Sequence, residues 1–236
     1  MQAPPYPIDF RRALADALPG ETAALSPEVV DLLELHARLL LHWNRRYGLT
    51  SITDPAEIVR RHIAEPLAAL PFVGAGDRIV DLGSGGGVPG VPLHVARLSR
   101  RGMAGREPDA AGARRTALAL VESSSKKALF LEAVVAGLHL EGVRVVERHA
   151  RRAADLADLA PVDVFTTRAI PAPARIVEWL PELLAPGGRG LLFLGEEAAT
   201  GAEQAALRRG LVIVRRQLLA GTRASFLLVL AKPEGS

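Results

Sequence analysis

The stretch Asp81-Leu82-Gly83-Ser84-Gly85-Gly86-Gly87-Val88-Pro89-Gly90 decides the fold. Residues 78–82, with Ile79 and Val80, read as a short buried strand bounded by turn residues. Residues 90–97 carry apolar side chains at helical spacing. Glycines between a strand end and a helix start supply positive φ and let other groups approach the backbone closely. A strand–glycine loop–helix unit opens a βαβ series, so the chain downstream should go on alternating.

It does. Residues 117–121 read as a second strand, 125–138 as a helix, 143–146 as a third strand and 162–166 as a fourth. A helix is expected near 173–184, and Pro186-Gly187-Gly188 turns the chain into a fifth strand at 190–194. A helix near 198–209 leads to 211–218 and 225–230, which follow each other without a helix, as an antiparallel hairpin does. The pattern predicts an α/β fold of Rossmann-like type: a mostly parallel seven-stranded sheet with helices on both faces, over residues 76–236. Residues 1–75 have no strand signal and are expected as a helical N-terminal extension. Ser26-Pro27-Glu28 and Asp54-Pro55-Ala56-Glu57 are helix starts, each with a capping oxygen and proline in the first turn. Residues 99–115, rich in Arg, Gly and Ala and without period, are expected as a flexible insertion.

A length of 236 residues suits one α/β domain with an added element. The absence of cysteine excludes disulfides, thiolate metal sites and a Cys nucleophile, and fits a reducing cytoplasm. The first ten residues lack the basic and apolar regions of a signal peptide, and no apolar run is long enough to span a bilayer. No His–carboxylate pair has metal-ligand spacing on one helix, so no metal is expected. The net charge is only +3, and all the cationic side chains except Lys126, Lys127 and Lys232 are arginine, which suits bidentate phosphate contacts.

Two ligand classes use such a loop. A dinucleotide sets its pyrophosphate on the helix N-terminus, and Gly85, Gly87 and Gly90 satisfy G-x-G-x-x-G. S-adenosylmethionine has no phosphate and lays its methionine and ribose across the loop. Asp81 favours the second class: a carboxylate there orders the loop or attracts the cationic amino group, and would repel a pyrophosphate. Glu122, at the end of the second strand, can accept both ribose hydroxyls, which supports a nucleoside of either kind. The stretch from Leu184 to Gly190 is similar to the turn before the fifth strand in class I methyltransferases. S-adenosylmethionine is the cofactor expected, with an NAD-dependent oxidoreductase as the rival.

Further motifs occur in one order: Trp43-Asn44, Gly48-Leu49-Thr50-Ser51, Arg61-His62-Ile63, Val88-Pro89-Gly90-Val91-Pro92-Leu93, Leu120-Val121-Glu122-Ser123, Lys126-Lys127, Phe130-Leu131 and Thr167-Arg168-Ala169. Together they resemble the glucose-inhibited division protein B (RsmG) family, bacterial 16S ribosomal RNA guanine-N7 methyltransferases, over residues 39–194. The resemblance implies that Gly83, Ser84, Gly85 and Val88 line the cofactor with Asp81, and that Glu122 holds its ribose. It implies that His149 and Ala150 lie against the adenine, and that Arg168 stands beside the cofactor and positions the base. Arg61, His62, Lys126 and Lys127 fall on the substrate side. The implied partner is 16S ribosomal RNA or a small-subunit assembly intermediate, met by a monomer. Ala150 stands for the family's usual Glu, Leu194-Gly195 for Lys-Gly, and Glu65-Pro66 for Asp-Ser.

Guanine N7 carries a free lone pair and no proton, so its methylation needs no general base. Alignment is the requirement, and orientation alone supplies roughly 7–11 kcal/mol in favourable cases. The absence of an Asn-Pro-Pro-Tyr-like motif after the fourth strand agrees with this; Thr166, Thr167 and Arg168 stand there instead. Arg168 can bond guanine O6 or a phosphate, or equally serve as the ion-pair partner of a carboxylate. Another RNA or a small molecule as methyl acceptor, and a non-catalytic RNA-binding protein, are the other readings. Arg45, Arg46, Arg100, Arg101, Arg106, Arg114 and Arg115 could extend a basic track. Trp43 and Trp179 fit core stripes.

Overall fold

The computed structural model describes residues 4–18, 25–100, 117–219 and 225–235. The expected insertion lies, from residue 101 onward, outside the described residues.

Helix α1 (Phe10–Ala17) starts at Asp9, whose carboxylate accepts the Arg12 N–H. Helix α2 (Pro27–Tyr47) starts at Ser26 with proline in its first turn, and ends at Gly48 in the left-handed conformation. Asp54 caps α3 (Pro55–Ile58), which widens into a π-helical turn (Val59–Ala64) and closes as α4 (Glu65–Leu67). The sheet and its helices then follow in order: β1 (Ile79–Leu82), α5 (Gly90–Arg97), β2 (Leu118–Glu122), α6 (Ser125–Gly137), β3 (Val143–Glu147), β4 (Val162–Arg168), α7 (Pro173–Val177), α8 (Leu180–Leu183), β5 (Leu184–Gly195), α9 (Glu196–Arg208), β6 (Val212–Leu218) and β7 (Ser225–Ala231).

The strands form one seven-stranded sheet in the order β3-β2-β1-β4-β5-β7-β6. The first five are parallel, and β7 runs antiparallel to both β5 and β6. The topology reverses between β1 and β4, the switch point at which open α/β sheets bind ligands. Every residue of β1 and β2 is buried, as strands covered on both faces must be. Alternate side chains feed two cores. Ile79, Leu118, Leu120 and Val164 pack with α1, α2, the π-turn, α5 and α6, and Val80, Val121, Phe165 and Leu192 pack with α7, α8 and α9. The N-terminal helices therefore share a core with one face of the sheet.

Two boundaries differ from the sequence reading. Strand β5 begins at Leu184, so Pro186-Gly187-Gly188 lies inside it. The register jumps there: Val162 pairs with Leu184 and Val164 with Arg189. A proline cannot donate to the ladder, and the strand bulges around it. The helix expected near 173–184 is two short helices, α7 and α8.

Candidate active site

The carboxyl ends of β1, β2 and β4 meet at the switch point. The N–H groups of Gly83 and Ser84 both donate to the Val121 carbonyl, at 2.8 and 3.1 Å, which folds the glycine loop back over β2. Thr167 Oγ1 donates to the Leu82 carbonyl and Thr166 Oγ1 to the Leu191 carbonyl, at 2.8 and 2.9 Å. Both hydroxyls are thus committed to the sheet.

Asp81 is fully buried and ties the loop's ends together, its Oδ2 accepting the Gly90 N–H at 3.0 Å. The approach leaves no room for a side chain at Gly90: a Cβ there would lie 2.6 Å from that oxygen. Among the described residues Asp81 Oδ1 has no partner. Burial pushes the carboxyl up from 3.8 to about 7, against the pull of the Gly90 bond. The folded protein thus holds this proton more tightly than the unfolded chain, so the group costs stability progressively as pH rises from about 4 to about 7. Asp81→Asn keeps an acceptor for Gly90 and removes the titration. Its stability relative to the parent should climb by up to about 1.4 kcal/mol per pH unit across that window, measured by urea unfolding. A constant difference would refute the assignment.

Glu122 closes the other side. Its Oε2 accepts the Gly85 N–H and its Oε1 the Ser124 N–H, each at 2.9 Å. Oε1 also accepts the Ser123 hydroxyl at 3.4 Å, while Oε2 keeps a further lone pair, so the acid that shapes the loop still has an acceptor position for a ribose hydroxyl. Gly83 has φ +73°, and the nearest atom to a Cβ there would be Ile170 Cδ1 at 3.9 Å, so the β4–α7 connection lies over the loop. That connection holds Ala169 and Ala172 at φ +53° and +52°. A left-handed non-glycine residue costs roughly 1–2 kcal/mol, and such strain concentrates at functional sites. Ser84 and Val88 are buried within the loop. The Arg148 N–H donates to the Glu122 carbonyl at 2.9 Å, which brings the following His149 and Ala150 to the same edge. His149 is exposed there, and Ala150 is half-buried against the second core. Lys126 and Lys127 stand in the first turn of α6, Lys126 exposed and Lys127 half-buried. Cations there oppose the helix dipole, so the fold gains nothing from their charge. Leu194 is buried in the second core.

Arg168 reaches back to the N-terminal element. In the π-turn the Glu65 N–H bonds the Arg60 carbonyl, five residues back. In that register the Arg61 carbonyl would receive residue 66, a proline without an N–H. The Arg168 guanidinium takes that carbonyl, and its second nitrogen donates to Glu65 Oε2 at 2.7 Å. The Glu65 side chain is only 2% exposed, with Arg61 and Arg60 at 3.3 and 3.7 Å from its Oε1. Burial pushes the Glu65 carboxyl up, and the arginines around it pull it back. His62 bonds the Thr50 hydroxyl at 2.9 Å, and burial, with Arg168 and His36 nearby, lowers it to about 3, which makes it neutral.

Sequence reasoning missed His36. This imidazole of α2 is fully buried and lies 2.8 Å from the Gly86 carbonyl in the loop. One helical turn on, Leu40 fills the space a Cβ on Gly86 would need, at 2.9 Å. The available signal was a polar ring in the stripe Leu33, Ala37, Leu40, since a buried polar group demands a partner.

The arrangement fits a cationic nucleoside cofactor, with a buried carboxylate oxygen lacking a partner, an open backbone at Gly83 and acceptor capacity on Glu122. No described helix is long and apolar enough to cross a membrane, and no described group of three His, Asp or Glu side chains could hold a metal ion. The fold is similar to that of a SAM dependent methyltransferase from Aquifex aeolicus, with a TM-score of 0.54 at 12% identity over 78% of this chain and 96% of that one. This is the class I methyltransferase fold.

Residues 30–214 match the profile of the GidB family, described as rRNA small subunit methyltransferase G. The chain is 35% identical over 189 residues to ribosomal RNA small subunit methyltransferase G of Anaeromyxobacter sp. (strain Fw109-5), covering 80% of each. It is 32% identical over 232 residues to the protein of the same name from Sorangium cellulosum (strain So ce56), covering 97% of this chain and 86% of that one. The chain belongs to the rRNA small subunit methyltransferase G family, and it is an S-adenosylmethionine-dependent methyltransferase.

Proposed function

We propose that this chain, as a monomer, transfers a methyl group from S-adenosylmethionine to N7 of a guanine in 16S ribosomal RNA, free or in a small-subunit assembly intermediate. The observation that carries the N7 reading, beside family membership, is the end of β4. Its two threonine hydroxyls are bonded to the sheet, and the nearby His62 is held far below its ordinary range. An acceptor that loses a proton on attack would need a base there; a bare ring nitrogen needs none.

In this reading Asp81, Gly83, Ser84, Gly85 and Val88 hold the methionine end of the cofactor, Glu122 the ribose, and His149 and Ala150 the adenine. The cofactor supplies the electrophilic methyl group. Arg168, held by Glu65 and the Arg61 carbonyl, stands beside it and orients the base or its phosphate. Arg60, Arg61 and Arg168 gather around Glu57 and Glu65, an arginine-rich rim of the kind that suits RNA phosphate. Lys126 and Lys127 offer more on the far side of the loop, and α2 adds Arg45 and Arg46, both exposed, near its packing of Trp43 on Phe130 of α6.

Ribosomal RNA from cells with and without the protein tests the substrate. Loss of one N7-methylguanosine from 16S RNA is expected; an unchanged map, with S-adenosylhomocysteine still bound, would point to another acceptor. Glu122→Ala tests the cofactor site. It removes two backbone ties to a charged acceptor together with the diol's partner, each such bond contributing about 1.5–3 kcal/mol. The dissociation constant for S-adenosylhomocysteine should rise at least about 30-fold by calorimetry; unchanged affinity would exclude Glu122 from the site.

A further inference from the structure

We propose that His36 is a positioning residue for methyl transfer: from the N-terminal helix its Nε2–H holds the Gly86 carbonyl and thereby sets the shape of the cofactor loop. This inference rests on the reading of that loop as the S-adenosylmethionine site.

A carbonyl oxygen only accepts, so at 2.8 Å the proton of the bond must sit on His36 Nε2. A neutral ring then leaves Nδ1 bare, and among the described residues that buried atom has no partner. A phenylalanine would fill much the same space without that desolvation cost. The donor is what the imidazole adds. The loop's own N–H groups are engaged elsewhere: Gly85 with Glu122, Gly87 and Val88 with the Ser84 carbonyl, Gly90 with Asp81, and Val91 with the Gly87 carbonyl. Gly86 therefore takes its donor from outside the loop. His36 also abuts the next residue, its Nε2 lying 3.1 Å from where a Cβ on Gly87 would stand. With Leu40 pressed on Gly86, helix α2 sets the loop's height at two consecutive residues.

The same ring lies close enough to His62 to disfavour that residue's charged form. The seam His36, His62, Arg168 thus runs from the cofactor loop to the face proposed for RNA. His36 is fully buried, and acts through the Gly86 backbone.

The test compares His36→Phe, which removes the donor, with His36→Gln, which keeps an Nε2–H donor. His36→Phe should raise the dissociation constant for S-adenosylhomocysteine and the KM for S-adenosylmethionine together by about tenfold, with kcat at saturating cofactor within about threefold. His36→Gln should recover most of that loss. Wild-type affinity in the Phe variant, or equal loss in both variants, would overturn the proposal, because a ring that only fills space gives no donor-dependent split. If the Phe variant does not fold, nitrogen-15 NMR of the unaltered protein decides. A neutral ring protonated on Nε2 is expected, and a proton on Nδ1 alone would overturn the bond. Should the unaltered protein bind no S-adenosylhomocysteine, the cofactor reading of the loop fails instead, an outcome distinct from a variant that binds as well as its parent.

Discussion

Arg168→Ala lowers stability by about 3 kcal/mol and the melting temperature on the order of 10 °C, and it abolishes methyl transfer at ordinary substrate concentrations. The substitution leaves the Glu65 carboxylate buried with only the flanking Arg61 and Arg60, at 3.3 and 3.7 Å, and leaves the Arg61 carbonyl without the donor that replaces the missing N–H of residue 66. Removing one partner of a buried ion pair typically costs 3–5 kcal/mol, and the two remaining arginines set the lower end of that range here. Arg168→Lys recovers little, since an ammonium cannot span a carbonyl and a carboxylate as a planar fork does. The double variant Glu65→Ala/Arg168→Ala should be more stable than the sum of its single variants predicts, by about 1.5 kcal/mol or more. Thermal and urea unfolding of the four proteins measures this. Strict additivity would mean that the two side chains do not depend on each other.

Gly90→Ala is the second large effect. Gly90 needs no positive φ; it needs the absence of a Cβ, which would stand 2.6 Å from Asp81 Oδ2 and 2.9 Å from Asp81 Cβ. Asp81 cannot yield, because it lies at the carboxyl end of a strand paired on both sides, to Leu120 and to Thr166. The start of α5 must move instead, taking the loop with it. Overpacking of this kind costs about 1–3 kcal/mol in stability. The larger consequence is for the cofactor, whose affinity should fall by about a hundredfold or more in calorimetry. Gly201→Ala serves as the contrast: it lies within α9 with nothing inside 4 Å of the new carbon, and should add roughly 0.5–1 kcal/mol of stability. A Gly90→Ala protein that binds cofactor normally would show that the loop tolerates displacement.

The strands and the loop were legible because short apolar runs bounded by Gly and Pro carry their own signal, and because Asp81 and Glu122 sit at strand ends where position implies role. The bulge in β5 was less legible. Pro186-Gly187-Gly188 reads as a turn locally, and only pairing with β4 and β7 carries the strand through it. The placement of Arg168 was not legible at all beyond its two alternatives. Its partner is a carboxylate 103 residues away, presented by a π-turn that no periodicity announces. His36 was hidden for the opposite reason. It obeys the apolar stripe of α2 so well that its one polar contact leaves no trace in the spacing.

The bond from Arg168 to the Arg61 carbonyl spans 107 residues of sequence. A chain made from its N-terminus presents that carbonyl, and the acid beside it, well before the guanidinium that satisfies both. Until β4 has joined β1, the acid at the end of the N-terminal helical element has only its neighbours Arg60 and Arg61, and the Arg61 carbonyl only water. Closing so long a loop is slow, and nothing local rewards it beforehand. The final packing of these helices therefore waits for the centre of the sheet. Order of synthesis and order of completion run opposite ways here: the first helices made receive this tie only once the centre of the sheet is in place.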